Sequence, residues 1–216
     1  MKAVLAALGL SFFAFCAAYA QEDVFNRPLT PQTENAFRAT CQRLAGHPLI
    51  RGSFEQEKHI KRLNRSLRSS GNFIIAAQLG MIWDTLNPFP STLTLGSDYL
   101  IQSRPGGQKT VLSAQGNETF LRMADVISTV FSGNAQGLVD NFEVYYTAAA
   151  ASWELGLIPL DRAINIFAEK IIMKGDAVIR SIEITEQNGD SIKYTLSGHS
   201  FPAELNQNER ALFSIP

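Results

Sequence analysis

The sequence predicts a mainly antiparallel β fold with a few helices, an α+β domain, and three observations carry that expectation. From Leu49 onward the apolar residues recur mainly at a period of two, the mark of strands with one buried face. These runs are divided by turn residues, among them Pro105-Gly106-Gly107, Gly175-Asp176 and Asn188-Gly189-Asp190. Asn-Gly between alternating runs is a strong hairpin signal. Helical spacing occurs singly, between groups of strands, and not after every strand as a βαβ repeat requires. The expected architecture is a strongly curved antiparallel sheet of about ten strands, with two principal helices and a short one over one face.

The elements follow in chain order. Residues 1–20, MKAVLAALGLSFFAFCAAYA, hold one early cation at Lys2, an apolar run, and an Ala18-Tyr19-Ala20 end. That is the pattern of a cleaved secretory signal, which leaves a single domain over 21–216. No later apolar run approaches the ~18 residues that span a bilayer. Residues 21–30 read as a frayed leader ending near Pro28. Thr30 and Pro31 then supply an N-cap and a first-turn proline for a helix over 31–46, with Phe37, Cys41 and Leu44 on one stripe. Gly46 and Pro48 end it.

Strand periodicity begins at Leu49. Ile50, Phe54 and Ile60 share a face whose far end is polar, with Gln56 and Lys58 on it. A second strand carries Phe73 and Ile75. Residues 81–103 supply two more, broken at Asn87-Pro88-Phe89-Pro90, and Pro105-Gly106-Gly107 turns into the next. Residues 117–131 return to helical spacing, and Gly133 closes that helix. Residues 142–160 read as two strands around an alanine run. Asp161 caps a short helix over 162–170, and three hairpin-linked strands follow. ALFSI at 211–215 reads as a last short strand closing the sheet.

Composition excludes several functions. Lys plus Arg is 19 against 20 Asp plus Glu, a net charge of -1, which offers no basic surface for nucleic acid. At 45% apolar residues the chain is not generally disordered. Once Cys16 leaves with the signal, Cys41 has no partner for an intrachain disulfide and reads as a small buried hydrophobe. No histidine pair has metal-ligand spacing, and HExxH, GxSxG and GxGxxG are absent, so no metal, cofactor or enzymatic activity is expected. Glu55 and Glu57 share a strand face beside Lys58 and Lys61, which reads as a solvated edge. What remains is a set of apolar strand positions: Phe54, Phe73, Ile75, Met81, Trp83, Leu93, Leu95, Val144, Tyr146 and Trp153. Periodicity leaves two readings open, a core filled by its own helices or a partly filled interior that holds an apolar ligand.

Residues 52–95 carry Phe54-x-Gln56, Gly71-x-Phe73, Trp83 and Pro88-Phe89-Pro90, followed by SDYLIQ at 97–102. IPLDR at 158–162 precedes IIMKG and then IEITEQNGDSIKYTLSG. In this order and spacing the chain resembles the LolA-like family, the outer-membrane lipoprotein carriers of Gram-negative bacteria. The resemblance implies an unclosed half-barrel with a helical lid over an apolar cavity, and it makes the ten apolar positions above the candidate lining. It implies a monomeric periplasmic carrier that takes an acylated lipoprotein, or another lipid, from an inner-membrane transporter to an outer-membrane acceptor. Burying an acyl chain gains ~0.8 kcal/mol per CH₂, so a sixteen-carbon chain is worth on the order of 12 kcal/mol and does not cross water unshielded. A lipid- or lipoprotein-sensing module of the same fold is the alternative. The chain departs from the family in one respect. Where the carriers have an Arg-Pro in the strand before the Trp, with the Arg holding the lid, Ala77 and Gln78 stand here.

Overall fold

Two hairpin meanders, joined through one pair of strands, make up the sheet. The computed structural model describes residues 23–107, 109–113 and 128–214. The first meander runs β1 (Leu49–Ile60), β2 (Arg65–Ala76), β3 (Gly80–Asn87), β4 (Ser91–Leu95), β5 (Tyr99–Ser103) and β6 (Thr110–Ser113). The second runs β7 (Phe142–Ala149), β8 (Ser152–Pro159), β9 (Lys170–Gly175), β10 (Ile179–Thr185) and β11 (Ser191–Ser200). Within each, sequential neighbours pair antiparallel. The one crossover sets β11 beside β1, with Phe54 opposite Leu196, and joins the halves into an eleven-stranded sheet. Its edges, β6 and β7, do not pair with each other, so the sheet is unclosed.

Most strands carry residues that suit a pleated surface with a dry inner face, while β6 is exposed throughout. Gly71 lies where the β2–β3 register slips by one residue, and a Cβ there would collide with the Asp84 carbonyl. The stretch expected to hold two strands holds three, because the chain also turns at Gly96, whose N–H donates to the Tyr99 carbonyl at 2.9 Å. The Asn188-Gly189 turn links β10 to β11, with Gly189 at φ 81°.

Helix α1 (Pro31–Ala45) lies on the inner face, as its stripe requires. Phe37, Cys41 and Leu44 are buried in one cluster with Phe54, Phe73, Phe142, Leu157 and Met173. Thr30 caps it, its N–H donating to Thr33 Oγ1 at 3.0 Å. Of the helix expected over 117–131, residues 117–127 lie outside the described residues, and 128–132 are helical. Gly133 stops this helix at φ 63°, where a Cβ would collide with the Cys41 carbonyl. Helix α2 (Ala135–Asn141) follows at once and packs on α1 and β7. The short helix after Asp161, α3 (Arg162–Asn165), is half the length its spacing predicts. Residues 1–22, and with them the expected signal, lie outside the described residues. Among the described residues no helix is long and apolar enough to cross a membrane.

Two expectations are overturned. Residues 23–30 are not frayed. Leu29 N–H donates to the Val144 carbonyl and Tyr146 N–H to the Arg27 carbonyl, both at 2.9 Å, so the segment lies along the β7 edge. Val24 is 1% exposed. An open strand edge offers unpaired backbone groups, and a nearby segment can pair with them whatever its periodicity. The C-terminus is a helix, α4 (Gln207–Leu212), not a strand. Asn206 and Glu209 cap it reciprocally, with Glu209 N–H donating to Asn206 Oδ1 at 2.9 Å and Asn206 N–H to Glu209 Oε2 at 2.8 Å. This end packs on the outer face, where Leu205 and Phe213 form a second small core with Leu49, Ala76 and Ile82. Arg51 on β1 holds it with two bonds to the Glu209 carboxylate, at 2.7 and 2.5 Å. Helical cover is therefore present on both faces.

Candidate functional site

Cross-strand register puts all ten candidate residues on the inner face. Phe73, Trp83 and Leu93 form one row across β2, β3 and β4, and Ile75, Met81 and Leu95 form the next. Phe54 pairs with Gly71 in the same alternation. Across the junction the face continues through Leu196 and Met173 to Leu155, opposite Tyr146, and Leu157, opposite Val144. Trp153 stands opposite Ala148 and Gly175.

Packing then divides the ten. Phe54, Phe73, Val144, Tyr146 and Trp153 are buried in the main cluster, filled by neighbouring side chains. Tyr146 reaches α1, its hydroxyl 2.7 Å from Thr40 Oγ1 and donating to the Ala36 carbonyl at 3.2 Å. Trp153 Nε1–H donates to the Asp176 carbonyl at 2.8 Å. Trp83 is half-buried in an aromatic group, stacked on Phe54 at 4.2 Å between centroids and edge-on to Tyr194 at 5.3 Å. Leu93 lies beside it, half-buried.

Ile75, Met81 and Leu95 meet at an open recess of about 440 Å³. Buried Leu44 and Leu95 and half-buried Ile75, Met81 and Phe131 line it. Exposed Ala77, Gln78, Leu79, Ser97 and Ser128 surround the mouth, with His47 and Ser132 half-buried beside them. Three structural features create the opening. Helix α1 stops at Gly46, the β2–β3 and β4–β5 turns rise at one end of the sheet, and the helical residues 128–132 close over from the other side. A separate narrow cleft of about 20 Å³ adjoins the same side chains, lined by Leu44, Ile75 and Phe131 and by Phe73, Val178, Leu196 and His199. Burial holds the His199 imidazole below its usual proton affinity, so it is neutral at pH 7. Its Nδ1 is buried without a hydrogen-bond partner among the described residues.

The arrangement suits an amphiphile, with an apolar interior and a hydroxyl- and amide-bearing mouth. A methylene takes about the space of a water molecule, ~30 Å³, so the recess has room for roughly fifteen carbons, one acyl chain. A second, larger depression of about 630 Å³ is walled by Glu55, Glu57, Arg68 and Lys193, charges that an alkyl chain would have to desolvate. Cys41 offers no chemistry, since burial pushes its thiol up to about 11. Among the described residues no three His, Cys, Asp or Glu side chains gather as metal ligands.

Strand reasoning passed over Leu44, His47, Leu79, Ser97, Phe131 and His199. Only Leu44 and Phe131 gave a signal, as members of helical stripes. Ala77 and Gln78 lie in the turn between β2 and β3, not in a strand as the resemblance implied. Both are exposed at the mouth, and neither brings a charge to it.

An unclosed antiparallel sheet, a helix-covered inner face and an apolar recess at one end of it define the architecture. The chain belongs to the family described as outer membrane lipoprotein carrier protein LolA-like, whose sequence model matches residues 34–214. Three solved structures are similar to the chain at low identity. A LolA superfamily protein from Nitrosomonas europaea is 8% identical, with 82% of this chain and 97% of that one covered at a TM-score of 0.45. Lipoprotein LppX from Mycobacterium tuberculosis is 12% identical, with 80% and 99% covered and a TM-score of 0.43. LprF from Mycobacterium bovis is 10% identical, with 85% and 99% covered and a TM-score of 0.40. A search of curated proteins finds no match.

Proposed function

We propose that this protein is a periplasmic carrier that takes an acyl chain of a lipoprotein, or of another lipid, into the recess between α1 and the β2–β3 turn. It shields that chain between an inner-membrane transporter and an outer-membrane acceptor, and it works by binding, without chemistry. The observation that carries the reading is the apolar recess of Leu44, Ile75, Met81, Leu95 and Phe131, open at one end, in a chain of the LolA-like family. The open mouth serves release. A chain buried on all sides would keep the full ~0.8 kcal/mol per CH₂, whereas a half-wet one gives up about half and can be handed on. Ala77 and Gln78 support a lid held by weaker forces than an arginine would provide, and a cargo broader than the housekeeping lipoproteins.

Native mass spectrometry of protein recovered from the periplasm of a Gram-negative host tests this. The expected spectrum shows one acylated species per chain. A stoichiometric protein partner with no lipid would overturn the carrier reading in favour of a sensing module.

A further inference from the structure

The β1–β2 hairpin carries a concentration of charge that the recess does not use. Residues 58–68, KHIKRLNRSLR, hold five of the chain's 19 Lys and Arg and no acid, in a protein of net charge -1. The hairpin also overhangs. β3 stops opposite Ser70, at Asn87, so Arg65–Ser69 of β2 pair with β1 alone. Five residues at 3.4 Å each carry the tip about 17 Å past its neighbour on that side.

The acids nearest the hairpin are accounted for. Glu57 pairs with Arg68 at 3.2 Å and Glu186 with Lys58 at 2.7 Å. Asp190 accepts from the Lys61 backbone N–H at 2.9 Å. Arg62 and Arg65 have no ion-pair partner among the described residues, and every residue from Lys61 to Arg68 is exposed. Interleaved with the cations, Leu63 and Leu67 are 55% and 58% exposed. The β3–β4 turn adds Phe89, 81% exposed, and the end of β3 adds exposed Leu86. Pro88 of that turn lines the same surface depression as Arg68 and Ser69, which places the turn at the hairpin's side.

We propose that this hairpin and the adjoining β3–β4 turn dock the protein on an anionic phospholipid surface. Arg62, Arg65 and Lys61 meet the phosphates, and Leu63, Leu67 and Phe89 enter the boundary with the acyl chains. Charge at an overhanging strand edge has another use, since it blocks edge-to-edge pairing. That use explains Arg65 and Arg68 but leaves the exposed leucines and Phe89 without a role. A nucleic acid would accept the cations but gives Leu63 and Leu67, exposed between them, nothing to contact. The inference rests on this surface alone and does not depend on what fills the recess.

Vesicle flotation tests it, using the chain recovered after export. Vesicles of phosphatidylglycerol with phosphatidylcholine are compared with phosphatidylcholine alone. The expected result is binding to the anionic vesicles that falls with added salt. Each cation near such a surface is worth roughly fivefold, so Arg62→Glu with Arg65→Glu should weaken binding at least about 25-fold. Arg62→Gln with Arg65→Gln, which leaves the turn uncharged, should weaken it in the same direction and less. Leu63→Ser with Leu67→Ser should lower binding severalfold while leaving its salt dependence intact. All these positions are exposed, so unfolding temperatures should not move. Equal flotation of wild type and both arginine variants would overturn the proposal. So would equal binding to neutral vesicles, no binding to either, or capture by an acidic protein or nucleic acid without vesicle binding.

Discussion

Met81→Glu separates a ligand-lining role from a core role most sharply. Met81 is half-buried between Ile75 and Leu95 at the side of the recess, so a glutamate there can reach water in the empty protein. Folding should lose no more than about 1–2 kcal/mol, the ordinary range for a site outside the packed core. An alkyl chain seated in the recess removes that water. The glutamate must then be desolvated as an anion or take up a proton. Protonation sets the ceiling: from an ordinary pKa of about 4.3 to pH 7 is roughly 2.7 units at 1.36 kcal/mol each, or about 3.7 kcal/mol. Binding of an uncharged alkyl fluorophore should therefore weaken by up to about 500-fold at pH 7. The penalty should shrink about tenfold per pH unit on acidification and be nearly gone at pH 4.5. Met81→Gln, which cannot titrate, should show a smaller loss with no such pH dependence. Fluorescence titration at several pH values, with thermal unfolding of each variant, makes the comparison. A Met81→Glu protein that folds and binds normally at pH 7 would show that the recess is not the site. A loss of equal size at pH 5 and pH 7 would show that charge is not its cause.

Two further outcomes follow from the packing. Tyr146→Phe removes the bonds from β7 to Thr40 and Ala36 and should cost about 1–1.5 kcal/mol in thermal unfolding while leaving lipid binding unchanged; an unaltered midpoint would show that the hydroxyl does not tie α1 to the sheet. The Arg51 hydrogen bonds hold the Glu209 carboxyl below its usual range, so their stabilisation is complete above about pH 4.3 and is lost as pH falls through the lower folded-state value. Amide protection factors at 205–213, taken relative to intrinsic exchange, should fall as acid protonates Glu209 in the wild type and already be low at pH 7 in Glu209→Gln, and protection independent of both would remove the pair from the account.

Most of the local structure was legible from the residues. Thr30-Pro31 and the Phe37–Cys41–Leu44 stripe define α1 because capping and a 3.6-residue period act within one element. The alternation at Phe73–Ile75 and at Leu93–Leu95, with turn residues between runs, defines strands and their inward faces for the same reason. Even the shared face of all ten candidates followed from a period of two, once the hairpin registers were known. The tertiary structure decided the rest, because it depends on elements distant in sequence. Nothing local requires β11 to pair with β1, or residues 23–30 to lie along the β7 edge. ALFSI alternates well enough for a strand, yet Asn206, Glu209 and Arg51, 158 residues from Glu209, make its neighbourhood a helix on the outer face. The division of one apolar face into filled core and open recess is decided the same way. Tyr146 and Trp153 are covered because α1 and Asp176 lie over them, and Met81 is left accessible because α1 has ended at Gly46. An apolar residue's period says which side of the sheet it takes; what stands opposite it is set by where other elements stop.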